Sequence, residues 1–516
     1  MDDNLRGQIG QLVMAGFDGF VPNAHIESLI REQRIGGVIL FRRNIESPAQ
    51  VAALCRRLQE INAEVSDLPL LIGIDQEGGM VMRIEDGVTP LPSAMAYASG
   101  YASHAVPGCS PADCEQLHRV GADELRQMGI NINFAPCLDI NNNRANPVIG
   151  VRSFGENAAT VTVYGLAAMR GIQSVGIAAT VKHFPGHGDT ASDSHYALPL
   201  IAHDRPRLDA VELTPFKAAI AAGVDAIMTA HVVFPAIEPD RTIPATLSRK
   251  VLTGLLREEL GFDGLIITDC LEMDAIAGGV GSEQGAVQAI AAGADIALVS
   301  HTASRQRGAV AALLNAVNQG YIAVEQLEKS IQRITHAKYM ARNWRDLPVI
   351  PTALCTAESL ALAERVQSLG IEGVAAPLDP QQPVLLVTTE LLQRTEIDEV
   401  ALGASLSARG SLLPVLEAAG FTVNEMIIPP NVGAADAARV VETASTAQQI
   451  IFQSYNATRF ASQAALIQAL DASKLTLIAG RNPYDLQLAP KARARYAACS
   501  NRPAALALIF KRMMGV

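Results

Sequence analysis

Between residues 12 and 300 eight short apolar runs recur, each separated from the next by a longer stretch whose apolar residues return at helical spacing. They are LVMAGF (12–17), GGVILF (36–41), PLLIGID (69–75), ININFAP (130–136), IAATVKHF (177–184), AIMTAHV (226–232), LIITDCL (265–271) and DIALVS (295–300). Runs this short and this continuously apolar suit strands buried on both faces. Strands that alternate with helices pair in parallel, because each helical crossover returns the chain to the same end of the sheet. Eight such units predict an α/β fold, a TIM-type (β/α)8 barrel. An open doubly wound sheet is the alternative, and it would set the strand ends along a line instead of around a ring.

Polar groups follow the apolar run in several of these strands: Asp75, Lys182 with His183, His231, and Asp269. In a closed barrel the carboxyl ends of all strands open on one face, where active sites sit, so these separate stretches converge on one cleft. The rhythm breaks after AKYMARNWRDLPVIP. A helix near 357–370 leads into the proline-containing APLDPQQP, and a second αβ region follows with VLLVTT, IIFQSYNA and LTLIAGRNPYDL. The expected organisation is a barrel over 1–345, a linker with a helix over 346–380, and a smaller αβ, sandwich-like domain over 381–516.

With 49% hydrophobic and 18% charged residues, the 516-residue chain can fill two large cores. A net charge of −11 argues against a nucleic-acid or anionic-membrane partner, which would want clustered Lys and Arg. The weakly basic tail, KARARYAACSNRPAALALIFKRMMGV, reads as a mixed helix-like end with a structural role. The amino terminus begins with acids and lacks a signal-peptide pattern, and no window reaches the roughly 20 apolar residues of a membrane span. A cytoplasmic location is the expectation. Seven cysteines without a CxxC pair read as reduced thiols.

The chemistry concentrates in ATVKHFPGHGDTASDSHYALPL (179–200), which closes the fifth strand and continues as a loop. Asp193 and His195 stand two apart, close enough for the carboxylate to reach one imidazole nitrogen. That contact would fix the tautomer and leave the other nitrogen free for proton transfer. A metal is the rival reading, since His183, His187, Asp189, Asp193 and His195 are suitable ligands. Their spacing matches no HExxH or Cys/His pattern, and the Lys182 ammonium beside them would repel a divalent cation. A phosphate loop fits less well, because no GK[ST] follows the glycines.

Asp269 follows LIIT directly, which puts an acid at a strand end on the cleft floor; capping the next helix is the plainer role for it. IDQEGGMVMRI adds Asp75 and Arg83 around a glycine pair, and NPVIGVRSFG adds Arg152. Acid, arginines and lysine on loops of one face make a pocket that recognises hydroxyls, although each arginine singly could be solvated or ion-paired.

Taken together these stretches resemble glycoside hydrolase family 3, in its β-N-acetylhexosaminidase branch. The loop motif KH(F/I)PGHGxxxxD(S/T)H is met without a gap from Lys182 to His195, and IDQEGG, NPVIGVRSFG, TAHVVFP, PATLS and IITDCLEMDAI stand in the same order. The resemblance covers residues 5 to 345 and extends less specifically to FQSYNA and RNPYDL. It implies that Asp269 is a nucleophile forming a covalent glycosyl-enzyme, and that His195, oriented by Asp193, is the general acid/base. It further implies that Asp75, Arg83, Arg152, Lys182 and His183 hold a terminal N-acetylglucosamine. One departure is Met80, where the branch usually carries arginine.

Retaining glycosidases usually use two carboxyl groups about 5 Å apart. Here an imidazole with an ordinary pKa of roughly 6.5 takes the second role. His187 and Asp189 are left to hold the loop's shape. The expected activity is a cofactor-free, retaining exo-β-N-acetylglucosaminidase acting on a small sugar substrate such as a cell-wall fragment. Its rivals are a phosphorylase with phosphate as acceptor, a metal-dependent barrel hydrolase, and a sugar-binding protein without catalysis.

Overall fold

Every one of the eight apolar runs forms a strand. In the computed structural model, which describes residues 3–98, 108–190, 198–389 and 410–516, they are β1 (Val13–Ala15), β2 (Gly37–Leu40), β3 (Leu71–Ile74), β6 (Ile132–Asn133), β7 (Ala178–Phe184), β8 (Ala226–Thr229), β9 (Leu265–Ile267) and β10 (Ala297–Val299). Two short strands, β4 (Gln76–Gly78) and β5 (Val81–Met82), form an antiparallel hairpin directly after β3. The eight runs pair in parallel in the order β10-β1-β2-β3-β6-β7-β8-β9. A parallel bridge between Ile267 and Ile296 joins the two ends of that sheet. The ring is a barrel and not an open sheet.

At least one helix follows each strand of the ring, from Ala24–Gln33 after β1 to Ala303–Asn318 after β10, and together they cover the barrel. Their starts follow from local chemistry. Asn23, Ser47, Ser110 and Asn157 each accept a backbone N–H of the first turn, and Pro48 and Pro111 sit where no N–H is needed. Inside the ring Phe134 fills the space over β3, and a Cβ on Gly73 would stand 2.8 Å from its ring. Only glycine leaves room for that aromatic side chain.

Closure between β9 and β10 is reinforced by one buried acid. The Asp295 carboxylate accepts from Ile266 N at 2.9 Å, Ser330 Oγ at 2.8 Å and Arg257 at 2.5 Å, while its own N–H donates to Ile266 O at 2.8 Å. Asp295 has no solvent exposure.

The helix Ala357–Leu369 packs Ala363 and Val366 into the same apolar cluster as the barrel. Beyond it a second sheet of five parallel strands has the order β12-β11-β13-β14-β15: β11 (Val384–Thr389), β12 (Val423–Ile428), β13 (Gln449–Ser454), β14 (Leu475–Ala479) and β15 (Ala494–Ala497). Alternation along each strand gives the sheet two apolar faces. Val384, Leu386 and Ile451 meet Leu506, Ile509 and Met513 of the last helix, Pro503–Met514. Leu385, Val387 and Phe452 belong to a cluster that includes Met95, Ala96 and Val151 from the barrel side.

Two strands of this sheet were not legible beforehand. β12 is an edge strand whose residues are mostly half-buried or exposed, so its sequence VNEMII carries no clean pattern. β15 lies inside the basic tail that reads as helical; the tail divides into this strand and the final helix. Among the described residues no helix is long and apolar enough to cross a membrane.

Replacing Asp295 by alanine would leave Arg257, whose side chain is 11% exposed, without its carboxylate. Losing one partner of a buried ion pair costs about 3–5 kcal/mol. Denaturant unfolding of Asp295→Ala should therefore show a loss of that size, with the far-UV spectrum of the folded state retained.

Candidate active site

The carboxyl ends of the barrel strands surround a pocket of about 320 Å³. Asp75, Arg83, Arg152, Lys182, His183 and Asp269 all line it, so six residues from four separate stretches meet there. Asp75 follows β3 and Arg83 follows β5. Arg152 ends the short turn Gly150–Arg152, and Lys182 and His183 lie within β7 itself. Asp269 stands two residues beyond β9, half-buried, with its Oδ1 accepting from Cys270 N at 2.7 Å. Phe41, Arg43, Met273 and His301 complete the walls. Asp193 and His195 lie outside the described residues.

Lys182 is 2% exposed, and its ammonium bridges Asp75 and Glu77 at 2.6 Å each. Burial alone would discharge it, but the two carboxylates outweigh that effect and raise its pKa above the ordinary lysine value. Glu77 is shared: Arg152 grips it through two parallel bonds, Nε at 3.0 Å and NH2 at 2.8 Å. Burial favours the neutral acid, yet Arg152 and Lys182 hold the Glu77 carboxyl far below the usual carboxylate range. Arg83 approaches Asp75 at 3.7 Å. The pocket thus presents charges that are fixed and mutually compensated, which suits many directed hydrogen bonds to a polar, uncharged ligand.

A second buried acid organises the histidines. Asp139, fully buried, accepts from His183 Nδ1 at 2.6 Å, from the His183 backbone N–H at 3.2 Å and from His187 N at 2.6 Å. Burial opposes its charge, but His183 and the hydrogen bonds prevail and hold the carboxyl at about 2. An Nδ1–H facing a carboxylate leaves Nε2 as the nitrogen turned away from Asp139, and that nitrogen stands 3.5 Å from Arg152 NH2. His187 pairs with Thr190 Oγ1 at 3.0 Å, and burial pushes its pKa down to about 4, so it is neutral near pH 7. Asn146 donates to the carbonyls of His187 and Gly188 at 2.9 Å each. Asp189 pairs with His203.

His231, which also follows an apolar run, is fully buried and does not line the pocket. Its Nε2 lies 2.9 Å from Cys270 O and its Nδ1 2.8 Å from Thr246 Oγ1, so it holds the chain just past Asp269. Met80 packs its side chain against Val81, Val148 and Ile149. Glu77 and Asp139 are the residues that sequence reasoning missed. Both stand close to a strand end, but their partners are 75 and 44 residues away, which no spacing rule reports.

Among the described residues two groups have ligand atoms near enough to share a metal ion: Cys137, Asp139 and His183, and Asp189, His203 and Glu212. Asp139 already serves His183 and His187, and Glu212 accepts from Asn142 at 2.9 Å and Arg207 at 3.3 Å.

A sequence profile of the glycosyl hydrolase family 3 N terminal domain matches residues 4–337. Beta-hexosaminidase A of Pseudoalteromonas piscicida is 38% identical over 332 residues, 61% of this chain and 54% of that protein. The match therefore spans about half the length of that relative. A beta-hexosaminidase of Thiobacillus denitrificans is 40% identical over 271 residues, 51% of this chain and 71% of that protein. The solved structure of a glycoside hydrolase family 3 beta-N-acetylglucosaminidase from a Paenibacillus species superposes with a TM-score of 0.90 at 44% identity, covering 99% of this chain and 96% of that one.

The Asp139 cluster should report itself through pH. Its folded pKa of about 2 lies below the ordinary value of roughly 3.9, so its contribution is present above pH ~4 and is lost as pH falls through the folded value. Urea unfolding between about pH 4 and pH 2 should show wild type losing on the order of 2 kcal/mol more than Asp139→Asn, which has no carboxyl to protonate.

Proposed function

The chain belongs to glycosyl hydrolase family 3, and from that premise we propose that it is a retaining exo-β-N-acetylglucosaminidase, removing terminal N-acetylglucosamine from glycosides such as cell-wall fragments. The observation that carries this reading is the meeting of Asp269 with the Asp75–Lys182–Glu77–Arg152 network in one pocket. At about 320 Å³ the pocket lies at the small end of ligand sites, which suits one terminal sugar better than the middle of a chain.

In this mechanism Asp75, Arg83, Arg152, Lys182 and His183 bind the sugar's hydroxyl and acetamido groups and set its anomeric carbon over Asp269. The Asp269 carboxylate attacks that carbon while His195 protonates the departing oxygen, giving a covalent glycosyl-enzyme. His195, now neutral and oriented by Asp193, takes a proton from water as the water attacks the same carbon and releases Asp269. Cys270 does not compete as a nucleophile, because burial pushes its thiol up to about 12.

Phosphorolysis is the second reading. A histidine acid/base repels an incoming phosphate less than a glutamate would, which keeps phosphate open as the acceptor.

On an aryl N-acetyl-β-glucosaminide, Asp269→Ala should lower kcat by more than about a thousandfold, and His195→Ala by roughly 10²–10⁴-fold. Wild-type turnover in Asp269→Ala would overturn the mechanism. Mass analysis of products should give free N-acetylglucosamine with or without added phosphate; a sugar 1-phosphate would assign the phosphorylase instead. Activity should survive a chelator, and its loss would favour the metal-dependent reading.

A further inference from the structure

The hairpin β4–β5 carries Glu77, which grips both Lys182 and Arg152, and runs on into Arg83. Where the two domains meet, Arg502 of the second domain reaches the tip of this hairpin. Arg502 precedes the final helix Pro503–Met514, which anchors its backbone. Its Nε donates to the carbonyl of Gly79, its NH2 donates to the carbonyl of Met80 at 3.3 Å, and its NH1 pairs with Glu85 at 3.0 Å. One guanidinium therefore spans the tip and the segment just past Arg83.

The hairpin tip is packed closely on a segment that itself reaches the second domain. Gly78 and Gly79 adopt φ of +104° and +57°, and a Cβ on Gly79 would stand 1.9 Å from Ser93 Oγ. Ser93 is itself buried and donates to the carbonyl of Cys499 at 2.7 Å, three residues before Arg502. The Arg152 turn meets the same domain: Asn141, whose Oδ1 accepts from Gly150 N at 3.1 Å, donates to Tyr484 Oη at 2.8 Å. A Cβ on Gly150 would lie 2.6 Å from Asn482 Oδ1. The segments that carry Arg83 and Arg152 are thus both backed by the second domain.

We propose that Arg502 is a positioning residue for sugar binding: by pinning the tip of the β4–β5 hairpin from the second domain, it sets where Glu77 and Arg83 stand in the pocket. The second domain then acts on binding without contributing an atom to the chemistry. Misplacing a binding group by about 1 Å is enough to weaken a site severely, so a three-donor clamp at the hairpin tip has leverage on affinity. The proposal rests on the pocket being the sugar site.

The test uses the full chain with Arg502→Met, which keeps the stem and removes the donors, and Arg502→Lys, which restores a cation. On an aryl N-acetyl-β-glucosaminide, Arg502→Met should raise KM by about tenfold while kcat changes by less than about threefold, with partial recovery in Arg502→Lys. In hydrogen exchange, amides of residues 76–85 should open faster in Arg502→Met while β11 and β13 keep wild-type rates. Unchanged KM would overturn the proposal, whatever the exchange shows, and so would faster exchange throughout the second sheet, which marks a merely structural residue. If wild type fails to cleave the glycoside but the hairpin still exchanges faster in Arg502→Met, the clamp is supported and the sugar assignment fails.

Discussion

A lysine ammonium almost closed off from water lies on the floor of the barrel's open face, and the rest of the site is arranged around keeping it charged. An isolated ion at such a depth would be several kcal/mol less stable than in water. Lys182 is kept charged by two carboxylates at 2.6 Å. Each of those carboxylates needs a further partner in turn, and Glu77 finds it in the bidentate Arg152. The chain of pairings ties β7, the β4–β5 hairpin and the 150–152 turn into one unit. Removing any single member would leave the buried charges out of balance, so the members hold one another in place.

The same logic recurs at two other places. Asp139 satisfies His183 and His187 together, so the start of the long loop after β7 is moored to the strand-end region that follows β6. Asp295 joins β9 to β10 and holds Arg257 at the far side of the ring. In each case one buried acid collects donors from segments remote in sequence. The barrel's apolar core supplies most of the driving force for folding, whereas these acids fix which segments meet.

Much of this architecture was legible in advance. Continuous apolar runs such as GGVILF and DIALVS have no plausible place outside a buried parallel strand, and all eight pair as expected. Asp75, Lys182, His183 and Asp269 were legible as pocket residues because strand ends in a closed barrel share one face. The hairpin was not, since QEG and VM are too short for a periodic signal and depend on glycines whose geometry is set by Ser93. His231 looked like a site residue by the same rule, yet its ring turns to Thr246 and Cys270. In the second domain β12 hid behind the mixed polarity of an edge strand, and β15 behind basic residues that also suit a helix.

By itself the sequence determined the barrel, the order of its strands and the types of side chain offered at its open face, because periodicity and strand-end placement are local properties that short-range rules read directly. Only the tertiary structure decided the pairings: that Glu77 joins Lys182 to Arg152, that Asp139 orients His183, and that Arg502 reaches from the second domain to Gly79 and Met80. Those contacts join residues 44 to 423 positions apart. Which donor meets which acceptor over such spans depends on how helices and sheets pack, and nothing in the neighbourhood of either residue carries that information.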